Sequence, residues 1–237
     1  MALNELLPAN KKWLPYKGER ATNYEDKCPV AIVLDTSWSM RGEPIHNLNM
    51  GVKNLKEDIM NDPIASKRIE LLIVSFSGKI KVINDFSPPE KVEIPELKAG
   101  GATRLVDGVR EGITRIEARK NWYKEENGVG YYRPFIILLT DGSPYPKQDL
   151  KGLKSEIDQG VNEKRFRFWA FGTKGANMAK LTELSHPEFP PQKLRAHQLI
   201  NFFDWLSNSM KTFANSRQNE SINIEPHRDQ NPFCIDP

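Results

Sequence analysis

The sequence predicts an α/β domain built on a doubly wound, mostly parallel sheet, with helices on both faces and one antiparallel edge strand. Three observations predict it. Mostly apolar runs of strand length recur at residues 29–34, 69–76, 134–139 and 166–171, as suits strands covered on both faces. Between them lie stretches whose apolar residues are spaced by three and four, the pattern of helices that connect parallel strands. The link Ser77-Gly78 is too short for a crossover, so the run at 79–83 must turn back antiparallel at the sheet edge.

Taken in order, residues 1–27 mix Leu6, Leu7, Trp13, Leu14 and Tyr16 with Pro, Lys and Asn. They suit either an extension docked on the domain or a partner, or a partly ordered tail. Pro29 to Leu34 is the first strand. Ile45, Leu48, Val52, Leu55 and Ile59 then give one apolar helix face, with Pro44 in the first turn and Asn61-Asp62-Pro63 as the stop. After the hairpin, the Pro-rich segment from Asp85 to Lys98 must climb back across the sheet. Leu105, Val109, Ile113 and Ile116 line the next helix. Asn121 to Arg133 is a polar insertion carrying Trp122, Tyr123, Tyr131 and Tyr132, either a second contact surface or an excursion with packed aromatics. Leu150, Leu153, Ile157 and Val161 mark a helix, as do Met178, Leu181 and Leu184. Phe202, Leu206, Met210 and Phe213 mark the last, opened by Asn201 or its neighbours. The domain is expected over residues 28–215, and residues 216–237 as a flexible tail.

Composition narrows the function. The chain has 237 residues, 38% of them hydrophobic, enough for one substantial core. Its net charge is only +3, from 34 basic and 31 acidic residues, so no nucleic-acid partner is indicated. Lys164-Arg165-Phe166-Arg167 is locally basic but leads into a strand. Cys28 and Cys234 are the only cysteines, which gives no disulfide framework and no zinc spacing. The start lacks a basic region and a long apolar run, and no stretch approaches a membrane span. A cytoplasmic protein without a membrane partner is the expectation.

Three short motifs carry the chemistry. Asp35-Thr36-Ser37-Trp38-Ser39 follows the first strand and precedes a helix. Gly100-Gly101-Ala102-Thr103 precedes another helix. Thr140-Asp141-Gly142 ends the fourth strand. In an open α/β sheet that edge is where ligands bind. Oxygen donors there suit a hard cation, which for Mg²⁺ means an octahedron at about 2.1 Å with some waters kept. Alone, the first motif would also fit an Asx-turn or a helix N-cap.

In this order the motifs D-x-S-x-S, G-G-A-T and T-D-G resemble the von Willebrand factor A domain and its metal-ion-dependent adhesion site, over roughly residues 28–215. The resemblance implies six strands in the order 3-2-1-4-5-6. It implies that Ser37 and Ser39 give hydroxyl oxygens directly to the metal and that Thr103 gives a third. Asp35 and Asp141 supply negative charge, directly or through water. The cation would be Mg²⁺, with Mn²⁺ or Ca²⁺ as substitutes, and its open position would take a protein partner's Asp or Glu. Trp38, Arg41 and Ser143 border the motifs and are the expected partner-facing residues. Trp38 stands where the family usually has a small residue, often glycine, so it either packs down on the loop or faces the partner.

Two stretches, Asp35 to Ile45 and Phe202 to Ser209, look more narrowly like TerY-like proteins of bacterial tellurite-resistance and stress-response clusters. That branch implies a protein kinase and a PP2C-type phosphatase as partners. The competing class is a metal-dependent hydrolase or phosphotransferase using the same strand-end carboxylates. A phosphotransferase would want a second Asp where Ser37 stands. A serine hydrolase would want G-x-S-x-G with a partnered His, but His46, His186, His197 and His227 form no motif. Neither a Walker A loop nor G-x-G-x-x-G is present. The expectation is an interaction module, not an enzyme.

Overall fold

The computed structural model describes Tyr16 and residues 19–141, 144, 147–173, 175–194 and 198–216. Its elements run β1 (Cys28–Asp35), α1 (Glu43–Met60), α2 (Ala65–Arg68), β2 (Ile69–Phe76), β3 (Ile80–Ser87), α3 (Leu105–Asn121), β4 (Phe135–Thr140), α4 (Leu150–Asn162), β5 (Arg167–Gly172), α5 (Met178–Leu184), β6 (Gln192–Lys193) and α6 (Leu199–Asn215). The sheet order is β3-β2-β1-β4-β5-β6, and only β3 runs antiparallel to its neighbour. The strand order reverses between β1 and β4, so a crevice opens beyond their C-terminal ends. In register, Leu34 pairs with Leu139 and Asp35 with Phe76, so Asp35 and Thr140 reach the same edge.

β1, β2 and β4 are buried along their whole length, as their apolar runs require. α1 packs on α6 with α2 beside them, while α3 lies on β1 and β2 and contacts α4. Gly51 sets the α1–α6 approach: a Cβ there would stand 2.1 Å from the Phe203 ring. Cys28 is buried at the start of β1, and burial pushes its thiol up to about 12, which leaves it unreactive at neutral pH. Among the described residues no helix is long and apolar enough to cross a membrane.

β3 continues to Ser87, four residues beyond the expected end at 83. The register shifts around Ile73, and the Asn84 side chain donates to Leu71 O and to Ser87 Oγ across the irregularity. The return segment begins as one 3-10 turn at Pro89–Lys91 and then runs irregularly to Leu105.

The insertion after α3 packs its aromatics inward and leaves Lys124, Glu125 and Glu126 exposed. Trp122, Tyr123 and Tyr132 are buried, and Tyr131 packs on the core. The helix continues into one π-helical turn, Trp122–Asn127, closed by Gly128 at φ 62°. The described part of the N-terminal extension docks here. Trp122 Nε1 donates to Glu19 O, Ala21 N donates to Asn127 Oδ1, Lys27 N donates to Gly130 O and Tyr132 N donates to Lys27 O. The Tyr16 hydroxyl is bonded to Asp85. Beneath this cover, Arg119 grips Glu70 with two bonds of 2.8 and 3.0 Å, and Tyr123 adds a third to the same carboxylate at 2.6 Å. The tail after residue 216 lies outside the described residues.

Candidate metal centre

Asp35 is the last residue of β1 and is wholly buried. Beyond it the chain leaves the sheet. Thr36 stays tied to β2, giving its N–H and hydroxyl to Phe76 O at 2.9 and 3.2 Å. Ser37 is extended, a 3-10 turn spans Trp38–Met40, and Gly42 at φ 82° leads into α1 with Pro44 in its first turn. The Asx-turn is present: Asp35 Oδ1 accepts from Ser37 N at 2.8 Å. It uses only one oxygen. The other accepts from the Thr140 hydroxyl at 2.6 Å, across the β1–β4 seam.

The hydroxyls complete the cluster. Ser37 Oγ lies 3.1 Å from Ser39 Oγ, and Ser39 Oγ donates to Asp141 Oδ1 at 2.7 Å. Asp35, Ser37, Ser39 and Asp141 thus meet through contacts between loops 102 residues apart in sequence. The Thr103 loop is held beside them by its backbone. Gly100 N donates to Thr36 O and Trp38 N donates to Gly101 O, at 2.9 and 3.0 Å. Gly101 needs its hydrogen side chain, because its φ is +84° and a Cβ would come within 2.7 Å of Gly78 N at the hairpin tip. Thr103 itself is half-buried, and its hydroxyl bonds none of those four side chains.

Three supporting residues were not singled out from sequence. Thr140 orients Asp35. Gln148 bridges the second and third loops, accepting from Val106 N and donating to Thr103 O. Asn49 pins the return segment to α1, accepting from Leu97 N at 2.8 Å and donating to Leu97 O at 2.9 Å. Of the expected partner-facing residues, Trp38 is 59% exposed and does not pack down on the loop. The Arg41 guanidinium lies over its ring, 3.1 Å from the centroid. Ser143 lies outside the described residues.

The electrostatics favour a cation. Burial pushes the Asp35 carboxyl up to about 6, against the bonds from Ser37 and Thr140, and the nearby Asp141 adds to the rise. Burial also raises Asp141, with the Ser39 hydroxyl opposing it. Among the described residues no ion pair reaches either carboxylate. No cluster of three His, Cys, Asp or Glu is present among them either, so a metal would rely on hydroxyls. That all-oxygen donor set, with two carboxylates and neutral hydroxyls, fits a hard divalent cation.

A pH effect follows for the metal-free protein. Asp35 holds its proton more tightly folded than unfolded, so the folded state binds more protons between about pH 4 and 6. The stability that Asp35 contributes falls as pH rises through that window, by up to about 3 kcal/mol. Urea unfolding in chelator at pH 4.5 and 6.5 checks this. Asp35→Asn should flatten the slope, and an unchanged slope would remove Asp35 as its source.

Comparison with known proteins bears on this geometry. None of the curated proteins matches the chain in sequence. Among solved structures, the fold is similar to the pilus adhesin SpaC of Lactobacillus rhamnosus GG, with TM-score 0.63 at 13% identity, over 81% of this chain and 31% of that one. It is similar to a von Willebrand factor type A protein from Catenulispora acidiphila, with TM-score 0.56 at 16% identity, over 79% and 43%. A third similarity is to proximal thread matrix protein 1 of the mussel byssus with a zinc-occupied MIDAS motif, with TM-score 0.54 at 15% identity, over 78% and 48%. The chain spans less than half the length of each of these three. The von Willebrand factor type A domain matches residues 30–201. That stretch is well over half of the sequence, and the chain belongs to the von Willebrand factor type A domain family.

Proposed function

We propose that this chain is a metal-dependent protein-interaction module and not an enzyme. Ser37, Ser39 and Thr103 would hold a divalent cation, Mg²⁺ first, with Asp35 and Asp141 balancing its charge. The cation would supply one electrophilic position for an acidic side chain of the partner. The observation that carries this reading is the Ser37–Ser39–Asp141 chain of contacts beside buried Asp35. The zinc-occupied MIDAS motif of the mussel byssus protein supports a divalent site on this fold. The likeness of Asp35 to Ile45 and Phe202 to Ser209 to TerY-like proteins supports a cytoplasmic stress-response setting, with a kinase or PP2C-type phosphatase as partner. A serine hydrolase would need a histidine base beside Ser37 or Ser39, and among the described residues no histidine bonds either serine; Ser39 donates to Asp141 instead.

The test is thermal unfolding of the full chain with Mg²⁺ and with chelator. Each tenfold excess of cation over its dissociation constant stabilises the folded state by about 1.4 kcal/mol. For a domain of this size that raises the melting temperature by roughly 3–6 °C. Asp35→Ala should fold, since it removes a buried carboxylate, and should lose the rise. Equal responses from wild type and variant would put the cation elsewhere.

A further inference from the structure

The first half of α1 and residues 96–99 leave a groove of about 430 Å³ between them, open to solvent and starting at the Arg41 turn. Its charge is one-sided: Arg41, Lys53 and Lys98 line it against Glu96 alone, and all four are exposed. None of the three cations is in an ion pair among the described residues. Its floor is aliphatic, from Ile45, Leu97 and Ala99, and Met50 adds a 40% exposed side chain. The walls are fixed in place, because the Asn49 side chain closes both backbone bonds of Leu97 like a strand partner. Arg41, at the groove's end, stacks on Trp38, which stands between Ser37 and Ser39 in the sequence.

We infer that this groove is the docking track for an acidic, partly aliphatic segment of the protein partner. The inference rests on the metal-dependent reading above and extends it from one carboxylate to the residues flanking it. Unpaired cations around an apolar floor match a polypeptide that alternates carboxylates with aliphatic side chains. A nucleic acid would leave that aliphatic floor uncovered, and the groove's lining carries the His46 imidazole but no Trp, Tyr or Phe for bases to stack on. The exposed methionine and the rigid Asn49 clamp suit an anchor side chain that seats in a preformed slot.

The probe is a fluorescent hexapeptide of alternating glutamate and leucine, and binding to the full chain is read by anisotropy. Wild type in Mg²⁺ should bind it. The pair Lys53→Glu and Lys98→Glu should weaken binding at least tenfold. Lys151→Glu, an exposed reversal on α4, should change it less than twofold. Replacing leucine by serine in the peptide should weaken binding at least fivefold. Binding unchanged in the groove variant, or equally weakened by Lys151→Glu, overturns the inference. So does an oligothymidine of equal charge that binds as tightly, or a wild type that ignores the peptide up to about 1 mM. The two readings separate cleanly. Loss in chelator with no effect of the lysine reversals keeps the metal and removes the groove. Loss in the reversals with no effect of chelator keeps the groove and removes the metal.

Discussion

Arg119→Ala should lower the unfolding free energy by about 3–5 kcal/mol, the cost of leaving one member of a buried ion pair alone. In melting temperature that is roughly 10 °C. Glu70 sits inside β2 at 4% exposure and, among the described residues, would keep the Tyr123 hydroxyl as its one side-chain hydrogen bond. Burial opposes the charge on Arg119, but the bonds and field of Glu70 outweigh it and hold the guanidinium well above its usual range. The loss is also one of packing. The guanidinium lies 3.8 Å from the Trp122 ring centroid and 4.6 Å from that of Tyr16. Urea unfolding checks the effect, and a double variant separates its parts. Replacing Arg119 and Glu70 together by methionine removes both charges, so it should cost less than Arg119→Ala alone. A single-variant loss under about 1 kcal/mol, the range of an exposed pair, would mean that water reaches Glu70.

The second large effect is on partner binding. If the cation's open position takes a carboxylate, removing that carboxylate from the partner should weaken the complex at least about 30-fold, the lower range for truncating one member of a close charge pair. Chelation should cost about as much, because it removes the same bond. Thr103→Ala should weaken binding while leaving the isolated fold nearly unchanged, since its hydroxyl is half-buried and bonds none of the other four site residues. In a double-mutant cycle, Thr103→Ala and the partner change should be strongly non-additive. Additive losses would separate Thr103 from the carboxylate and with it the metal from the interface.

The parts legible in the sequence were those with a local signature. The buried strands announced themselves as apolar runs, and the antiparallel edge followed from a two-residue link. β3 was cut short because Asn84 and Asp85 look like a strand end, whereas here the Asn84 amide takes over bonds of the ladder. β6 has two residues and α2 four, too few to show a period. The insertion after α3 left two readings open, a contact surface or packed aromatics, because its aromatics stand among charged residues. Their partners come from far along the chain: the N-terminal extension bonds Trp122 from about 100 residues away, Tyr123 meets Glu70 of β2, and Tyr132 packs on Phe213 of α6. At the site, Asp35, Ser37, Ser39 and Asp141 were legible from strand-end positions. Thr140, Gln148 and Asn49 were not. Each acts through non-local bonds, Thr140 from the end of β4, Asn49 from α1 and Gln148 from a loop, and an amide or hydroxyl carries no mark in sequence of what it will meet.

That non-local assembly sets when the site can exist. Its loops are joined across the β1–β4 seam, across the return from the edge strand and through Gln148. No fragment that stops short of β4 holds the hydroxyl–carboxylate cluster, so a cation has nothing to grip until most of the sheet has closed. Such a cation cannot template the chain. It arrives after the folding barrier has been crossed, leaves the rate of folding alone and slows the way back. Under the proposed function, metal occupancy would report that the β1–β4 seam and the edge-strand return have closed, and a partner that requires it would engage such chains alone.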